Sequence, residues 1–250
     1  MCRIRAFSAS LIIAFLLFAG AGPAGAQPVR TNLYGLDGLF LATSGTTIPA
    51  GELVIGGSAL IINDDDGDAT STPVTISYGA SSDIEIAAAF EIYRSIDNGV
   101  DDSGTGDLHL SAKYAIQEKT ADYPATAIGV RIKLPLADDP LGTEETDFAL
   151  FTATQLDMKS ITGILNVEYL LAGGDFPNLV NYVVGLKIPY SDTTNFSLEL
   201  LDQPAIGDMF AGGATFDVGS SLNFGVAIGF GLEEDTSADF AAMGKIDFTF

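Results

Sequence analysis

From residue 51 onward, apolar side chains recur at every second position, in segments of about 8 to 12 residues divided by clusters of Gly, Pro, Asn, Asp and Ser. Ile84, Ile86, Ala88, Phe90 and Ile92 share one face, while Glu85, Ala87, Ala89 and Glu91 share the other. Leu108, Leu110, Ala112, Tyr114 and Ile116 oppose His109, Ser111 and Lys113. Ile128, Val130, Ile132 and Leu134 oppose Ala127, Gly129, Arg131 and Lys133. The same pattern covers 148–156, 165–171, 180–188, 196–200, 214–218, 222–230 and 240–250. A period of two is that of a strand with unlike faces, so with 51–62 and 73–78 the chain predicts twelve strands. The first has the least defined register, because both of its faces are apolar.

The links between these strands alternate in length. Longer ones fall at 63–73, 95–106, 135–145, 172–177, 202–212 and 233–238, with shorter ones between. Short turns at one end, longer loops at the other and an even strand count are the signature of a membrane barrel. The expected fold is therefore all-β, a single closed antiparallel transmembrane β-barrel of about 12 strands. A secreted β-sandwich would also alternate, but it does not account for the alternating links. The six longer links hold Asp64, Asp65, Asp66, Asp68, Asp97, Asp101, Asp102, Asp138, Asp139, Glu144, Glu145, Asp175, Asp202, Asp208, Glu233, Glu234 and Asp235, and neither Lys nor Arg. On a barrel this one-sided charge forms a solvated crown, placed to meet lipid and lipopolysaccharide head groups through bridging divalent ions.

The first 26 residues read differently. Arg3 and Arg5 precede an apolar run of about 14 residues that ends on Ala24-Gly25-Ala26, the form of a cleaved secretory signal. The run is shorter than the ~20 residues that span a bilayer as a helix. Cys2, the single cysteine, would leave with it. The expected domains are a signal at 1–26, an N-terminal segment at 27–50 that either straps the periplasmic mouth or tucks inside, and the barrel at 51–250. Removing 26 of 250 residues leaves 224, with 9 basic against 33 acidic side chains. Nucleic acid is excluded as a partner, since phosphate binding needs a basic surface.

The final stretch, KIDFTF, alternates to the last residue, which implies a strand paired along its whole length. MGKIDFTF also resembles the C-terminal signal of bacterial outer-membrane barrels, and the resemblance implies that Ile246, Phe248 and Phe250 are read by the barrel assembly machinery. Both termini are then expected on the periplasmic side of the outer membrane. The blocks PVTISYGASSDIEIAAAFEIY, GTGDLHLSAKYAI, PATAIGVRIKLPLADDP and LGTEETDFALF, within 73–151, resemble the bacterial family of meta-pathway phenol-degradation outer-membrane proteins. That likeness implies transport of a small organic solute, although LPLADD stands where the family more usually has a Gly-containing loop. The segment GLDGLFLATSGTTIPAGE (35–52) is similar to a stretch of exopolysaccharide-associated outer-membrane barrels.

Candidate chemistry is confined to the inferred lumen face, which carries Glu85, Glu91, His109, Lys113, Arg131, Lys133, Asp147, Glu168, Lys187, Glu199, Asp217, Lys245 and Asp247. Inward charges of both signs need water or partners. Hairpin geometry places Lys133 opposite Asp147 and His109 near Glu91. Glu91, His109, Arg131, Lys133, Asp147 and Lys245 are the candidates for a constriction that selects solutes by charge. Small residues at Gly225, Ala227, Gly229 and Gly231 suggest room opposite Lys245. The expected function is a passive channel for small solutes, and a barrel with a filled lumen is the alternative. A rim hydrolase would have to use His109, the one histidine, but His109-Leu110-Ser111-Ala112-Lys113 lacks the asparagine of the barrel phospholipases. NDDDGD (63–68) does not fit the EF-hand register, and no nucleotide, zinc or other cofactor motif is present.

Overall fold

The computed structural model describes residues 30–64, 67–97, 101–120, 123–138, 141–142, 144–158, 160–174, 177–203, 207–232 and 239–250. The expected signal at 1–26 lies outside them. Thirteen strands follow in chain order: β1 (Leu53–Asp64), β2 (Gly67–Gly79), β3 (Ile84–Asp97), β4 (Asp101–Gly104), β5 (Leu108–Gln117), β6 (Ala125–Leu134), β7 (Asp147–Met158), β8 (Ile161–Leu171), β9 (Leu179–Pro189), β10 (Thr194–Gln203), β11 (Gly207–Val218), β12 (Leu222–Gly231) and β13 (Phe240–Thr249). Twelve close into an antiparallel barrel in which β3 pairs with β5 and β13 pairs with β1. The short β4 pairs with the far end of β3, from Arg94↔Gly104 to Asp97↔Asp101.

Closure is complete at the last strand. Val54 pairs with Thr249 and Asn63 with Phe240, while Phe250 and Leu53 exchange both backbone hydrogen bonds. A sheet edge facing hydrocarbon would leave its N–H and C=O groups unsatisfied, and closure removes that edge. The outward face is apolar: Ile86, Tyr114, Ile128, Leu150, Leu165, Val184, Leu198, Val226 and Ile228 are all exposed. Such a surface suits lipid rather than water. Rings sit near both rims without tryptophan, with Phe216 stacked on Phe224 toward one end and Phe230 against Phe240 toward the other.

Three of the expected long loops are corrected. At 63–73, 95–106 and 202–212 the strands continue: β1 and β2 remain paired out to Asp64↔Gly67, β2 and β3 out to Asp68↔Asp97, and β10 and β11 out to Gln203↔Gly207. Asp68 and Asp208 of the acidic crown therefore stand on strands. Acidic residues weaken strand propensity but do not forbid a strand where a paired neighbour supplies the ladder. The β2–β3 ladder shifts register between Thr72 and Pro73, where proline has no N–H to give.

Candidate functional site in the barrel lumen

Residues 30–49 occupy the inside of the barrel, which decides between the two placements expected for the N-terminal segment. The segment folds on itself first. The Asn32 carboxamide oxygen accepts the N–H groups of Tyr34 (3.0 Å) and Leu36 (3.1 Å), and Gly35 takes φ of 83°, a conformation open mainly to glycine. Short bridges join Thr31 to Asp37 and Gly38 to Thr43. The result is a compact plug with polar backbone groups directed at the wall.

The wall answers those groups with charged side chains. Glu199 on β10 accepts three consecutive N–H groups, from Phe40 (3.1 Å), Leu41 (2.8 Å) and Ala42 (2.8 Å). Glu85 on β3 accepts from Asp37 (2.7 Å) and Ile48 (3.1 Å) and pairs with Lys113 of β5 at 3.0 Å. Asp247 on β13 takes both the N–H and the hydroxyl of Thr31. Lys245 donates to the carbonyls of Thr31 (2.7 Å) and Leu39 (3.0 Å). Arg30 pairs with Asp217 of β11. The Asn166 carboxamide on β8 bonds to both the N–H and the C=O of Thr43, each at 2.7 Å. Inside a barrel these backbone groups have no sheet to join, so side chains stand in for the missing ladder.

Apolar contacts complete the seat. Phe40 packs with Ala211, Ala227 and Met243, and Leu39 and Ala42 pack with Ile164, Val183, Leu201 and Met209. A Cβ on Gly213 or Gly225 would lie 2.7 or 2.8 Å from the Phe40 ring, so these glycines are the socket for that ring. This corrects the expectation of free room opposite Lys245: Phe40 fills it, with the Lys245 ammonium 4.8 Å from its ring centroid. Lys245 is thereby a seat for the plug and lines neither of the two lumenal cavities described below.

The remaining lumen charges, Lys187 apart, gather near the end where the hairpins are long. Lys133 pairs with Asp147 at 2.6 Å and stands 3.9 Å from Asp107. Arg131 pairs with Glu168, which also accepts from Asn181 at 2.9 Å. Arg94 pairs with Glu91 at 3.2 Å. The Arg131 guanidinium lies over the Tyr34 ring, 3.7 Å from its centroid, and the His109 ring is 5.2 Å from the same ring. Arg131 favours ionisation of the Tyr34 phenol, but burial and the charges of Glu168 and Glu91 outweigh it, and the pKa is raised from the usual tyrosine value.

Two cavities flank the plug. One of about 300 Å³ lies toward the long hairpins, lined by Tyr34, Glu91, Arg94, Asp107, His109, Lys133, Leu141 and Gly142. The other, of about 220 Å³, lies toward the short turns, where Asp37, Ser44 and Thr46 of the plug face Gln155, Thr162, Ile164 and Lys187. Along β8 the order Ile164, Asn166, Glu168 runs from the second cavity, past the bond to Thr43, to the Arg131 pair.

Of the residues singled out from the sequence, Glu91, His109 and Lys133 meet at one cavity, with Asp147 held by Lys133 and Arg131 beside them on Tyr34. Ile246, Phe248 and Phe250 lie on the closing edge of the barrel, where Ile246 pairs with Gly57 and Phe248 with Ile55. Sequence reasoning missed Tyr34, Arg94, Asp107 and Asn166. Tyr34 belongs to a stretch with no strand period, and Asp107 precedes its strand. The run of small and apolar residues in GLDGLFLATSG, too short for a helix and unlike the barrel strands, was the available signal.

The fold and this lumen define the transmembrane β-barrel class. Solved structures that share it include three outer-membrane proteins. An outer-membrane channel from Pseudomonas putida F1 superposes with a TM-score of 0.61 at 14% identity, over 82% of this chain and 97% of that one. The KdgM porin in complex with oligogalacturonate gives 0.55 at 8% identity over 80% and 99%. The NanC porin gives 0.55 at 12% over 78% and 98%. No family model matches the chain, and no curated relative matches it. The likeness of residues 73–151 to the meta-pathway family is thus unconfirmed, and what the three structures share with this chain is the fold.

Proposed function

We propose that the protein is an outer-membrane channel for small polar solutes, narrowed at rest by its own residues 30–49, with the short turns and both termini in the periplasm and the acidic hairpins outside. The observation that carries this reading is the pair of polar cavities on either side of the plug, one of about 300 Å³ and one of about 220 Å³. Tyr34 and the Arg131–Glu168 pair stand between them, and a purely structural filling has no need of a polar chamber on each side. A solute would enter the outer cavity, pass when the Tyr34 ring leaves Arg131, and reach the periplasm beside Lys187. The channel and porin names of the superposed structures support the same class, as does the likeness to the meta-pathway family for a small organic solute. Ile246, Phe248 and Phe250 serve in this reading as the signal for the assembly machinery, and the crown meets lipopolysaccharide.

A second reading is favoured by a different observation: the plug is bonded to β3, β8, β10, β11 and β13, all round the barrel, as a permanent filling would be. Liposome swelling separates the two. Proteoliposomes of the mature chain are expected to pass solutes of amino-acid size slowly, and a variant lacking residues 30–49 to pass them fast. A folded mature chain that passes none, beside a leaky deletion variant, would identify a permanently filled barrel.

A further inference from the structure

The cavity toward the long hairpins carries more chemistry than passage alone requires: two carboxylates, two cations and a histidine line it. We infer that this chamber is a binding site for a small dipolar solute of α-amino-acid type, carrying one ammonium and one carboxylate. The inference rests on the channel reading only for how the solute arrives. The volume, about 300 Å³, is at the small end of ligand sites and equals roughly ten water molecules of liquid.

Charge selects the class. Of the charges that line the chamber, Glu91 and Asp107 are matched in number by Arg94 and Lys133, so a ligand with net charge of either sign meets attraction and repulsion together. The charges are also divided in space. Glu91 and Arg94 belong to β3, and Lys133 stands two strands away on β6 beside Asp107 and Asp147. A dipolar solute can offer its ammonium to Glu91 and its carboxylate to Arg94 or Lys133 without breaking the existing pairs, since a guanidinium has five N–H donors and a carboxylate has several lone-pair sites. Asp107 is committed elsewhere: its Oδ1 accepts the N–H groups of Leu136 (3.0 Å) and Ala137 (3.1 Å), fixing the loop that places buried Leu141 against the chamber. Leu141 gives the solute's side chain an apolar contact.

His109 supplies the second sign of a ligand. Its ring lines the chamber beside Tyr34, and its buried Nδ1 has no hydrogen-bond partner among the described residues. Buried ring nitrogens are ordinarily paired, and no bond from Nδ1 holds this ring against turning toward a bound solute.

The test is binding to the refolded mature protein in micelles, followed by saturation-transfer NMR with L-leucine, isoamylamine and 4-methylpentanoate as probes. The last two keep the leucine side chain and lose one charge each. Leucine is expected to bind, and each single-charge analogue to bind about tenfold more weakly, the loss of one charge-assisted hydrogen bond. Arg94→Gln, a half-buried change on one pair, should cost leucine about as much while heat-modifiable mobility stays normal. An analogue that binds as tightly as leucine, or a folded protein that binds none of the three, overturns the inference. Liposome swelling reads the channel separately: binding without passage defeats the channel reading alone, and passage without binding defeats this one alone.

Discussion

The guanidinium of Arg131, on β6, lies over the ring of Tyr34, on the plug, 3.7 Å from its centroid. A cation held over a ring contributes about 0.5 to 2 kcal/mol, and here it joins the barrel wall to the segment that obstructs it. Tyr34→Ala removes that contact and enlarges the cavity toward the long hairpins. Its single-channel conductance in a planar bilayer is expected to rise several-fold over the parent, with unchanged heat-modifiable mobility. Equal conductance would mean that Tyr34 does not limit flow.

Glu199 tests the seat of the plug. Glu199→Ala strands three N–H groups, those of Phe40 and Ala42 buried and that of Leu41 partly so, and each unsatisfied buried group costs about 1 to 3 kcal/mol. The plug is expected to loosen while the barrel stays closed. Proteolysis should then cut within 30–49 much faster than in the parent, and the far-ultraviolet strand signal should persist. Glu199→Gln keeps one acceptor oxygen and should fall between the two.

Gly225→Leu probes the same seat from the apolar side. The glycine already lies where a Cβ would stand 2.8 Å from the Phe40 ring, so a larger side chain must displace that ring. Conductance should rise, in the direction expected for deletion of residues 30–49. Phe40→Ala, which leaves a void instead, should destabilise the plugged state by about 3 to 5 kcal/mol.

Lys113 and Glu85 form a fully buried pair at 3.0 Å. Lys113→Met leaves the Glu85 carboxylate without its cation and is expected to cost about 3 to 5 kcal/mol in urea unfolding. Adding Glu85→Gln should recover much of that loss, because the uncompensated charge is then gone. A double variant no more stable than Lys113→Met would mean that the hydrogen bonds of Glu85 to the plug outweigh its charge.

Orientation and lipid contact can be read directly. The one cysteine lies at position 2, so single cysteines placed at exposed Ser103 or Asp192 report the two ends of the barrel. Maleimide on intact cells is expected to label Ser103→Cys and to spare Asp192→Cys; the reverse pattern would invert the proposed topology. Val226, mid-strand and 56% exposed, faces lipid in this reading, and Val226→Arg should cost about 2 to 4 kcal/mol.

Much of this molecule was legible in its sequence because a strand period of two is local. Glu85, Lys113, Arg131, Glu199 and Asp247 were assigned to the inner face from alternation alone, and all five stand there. The Lys133–Asp147 pair followed from counting along one hairpin. Strand ends were less legible: acidic residues such as Asp64 and Asp208 read as loop, yet pairing with a neighbouring strand carries the ladder through them.

What the sequence by itself determined is the wall: the twelve strands of the barrel, the face that residues present on every one of them but the first, and the link through β13 to β1 implied by a pattern that runs to Phe250. Only the tertiary structure decided what fills it. Alternation cannot distinguish an inward carboxylate that meets water from one that meets a backbone N–H, and the groups that separate Glu199 from Glu91 lie at Phe40 to Ala42, about 160 residues away along the chain. Glu85, Lys113, Glu199, Asp217, Lys245 and Asp247 turned out to hold the plug and Arg131 to lie over its Tyr34, while Glu91, His109, Lys133 and Lys187 line the two cavities, because the short irregular stretch from Arg30 to Pro49 finds its hydrogen-bond partners only when the barrel has closed around it.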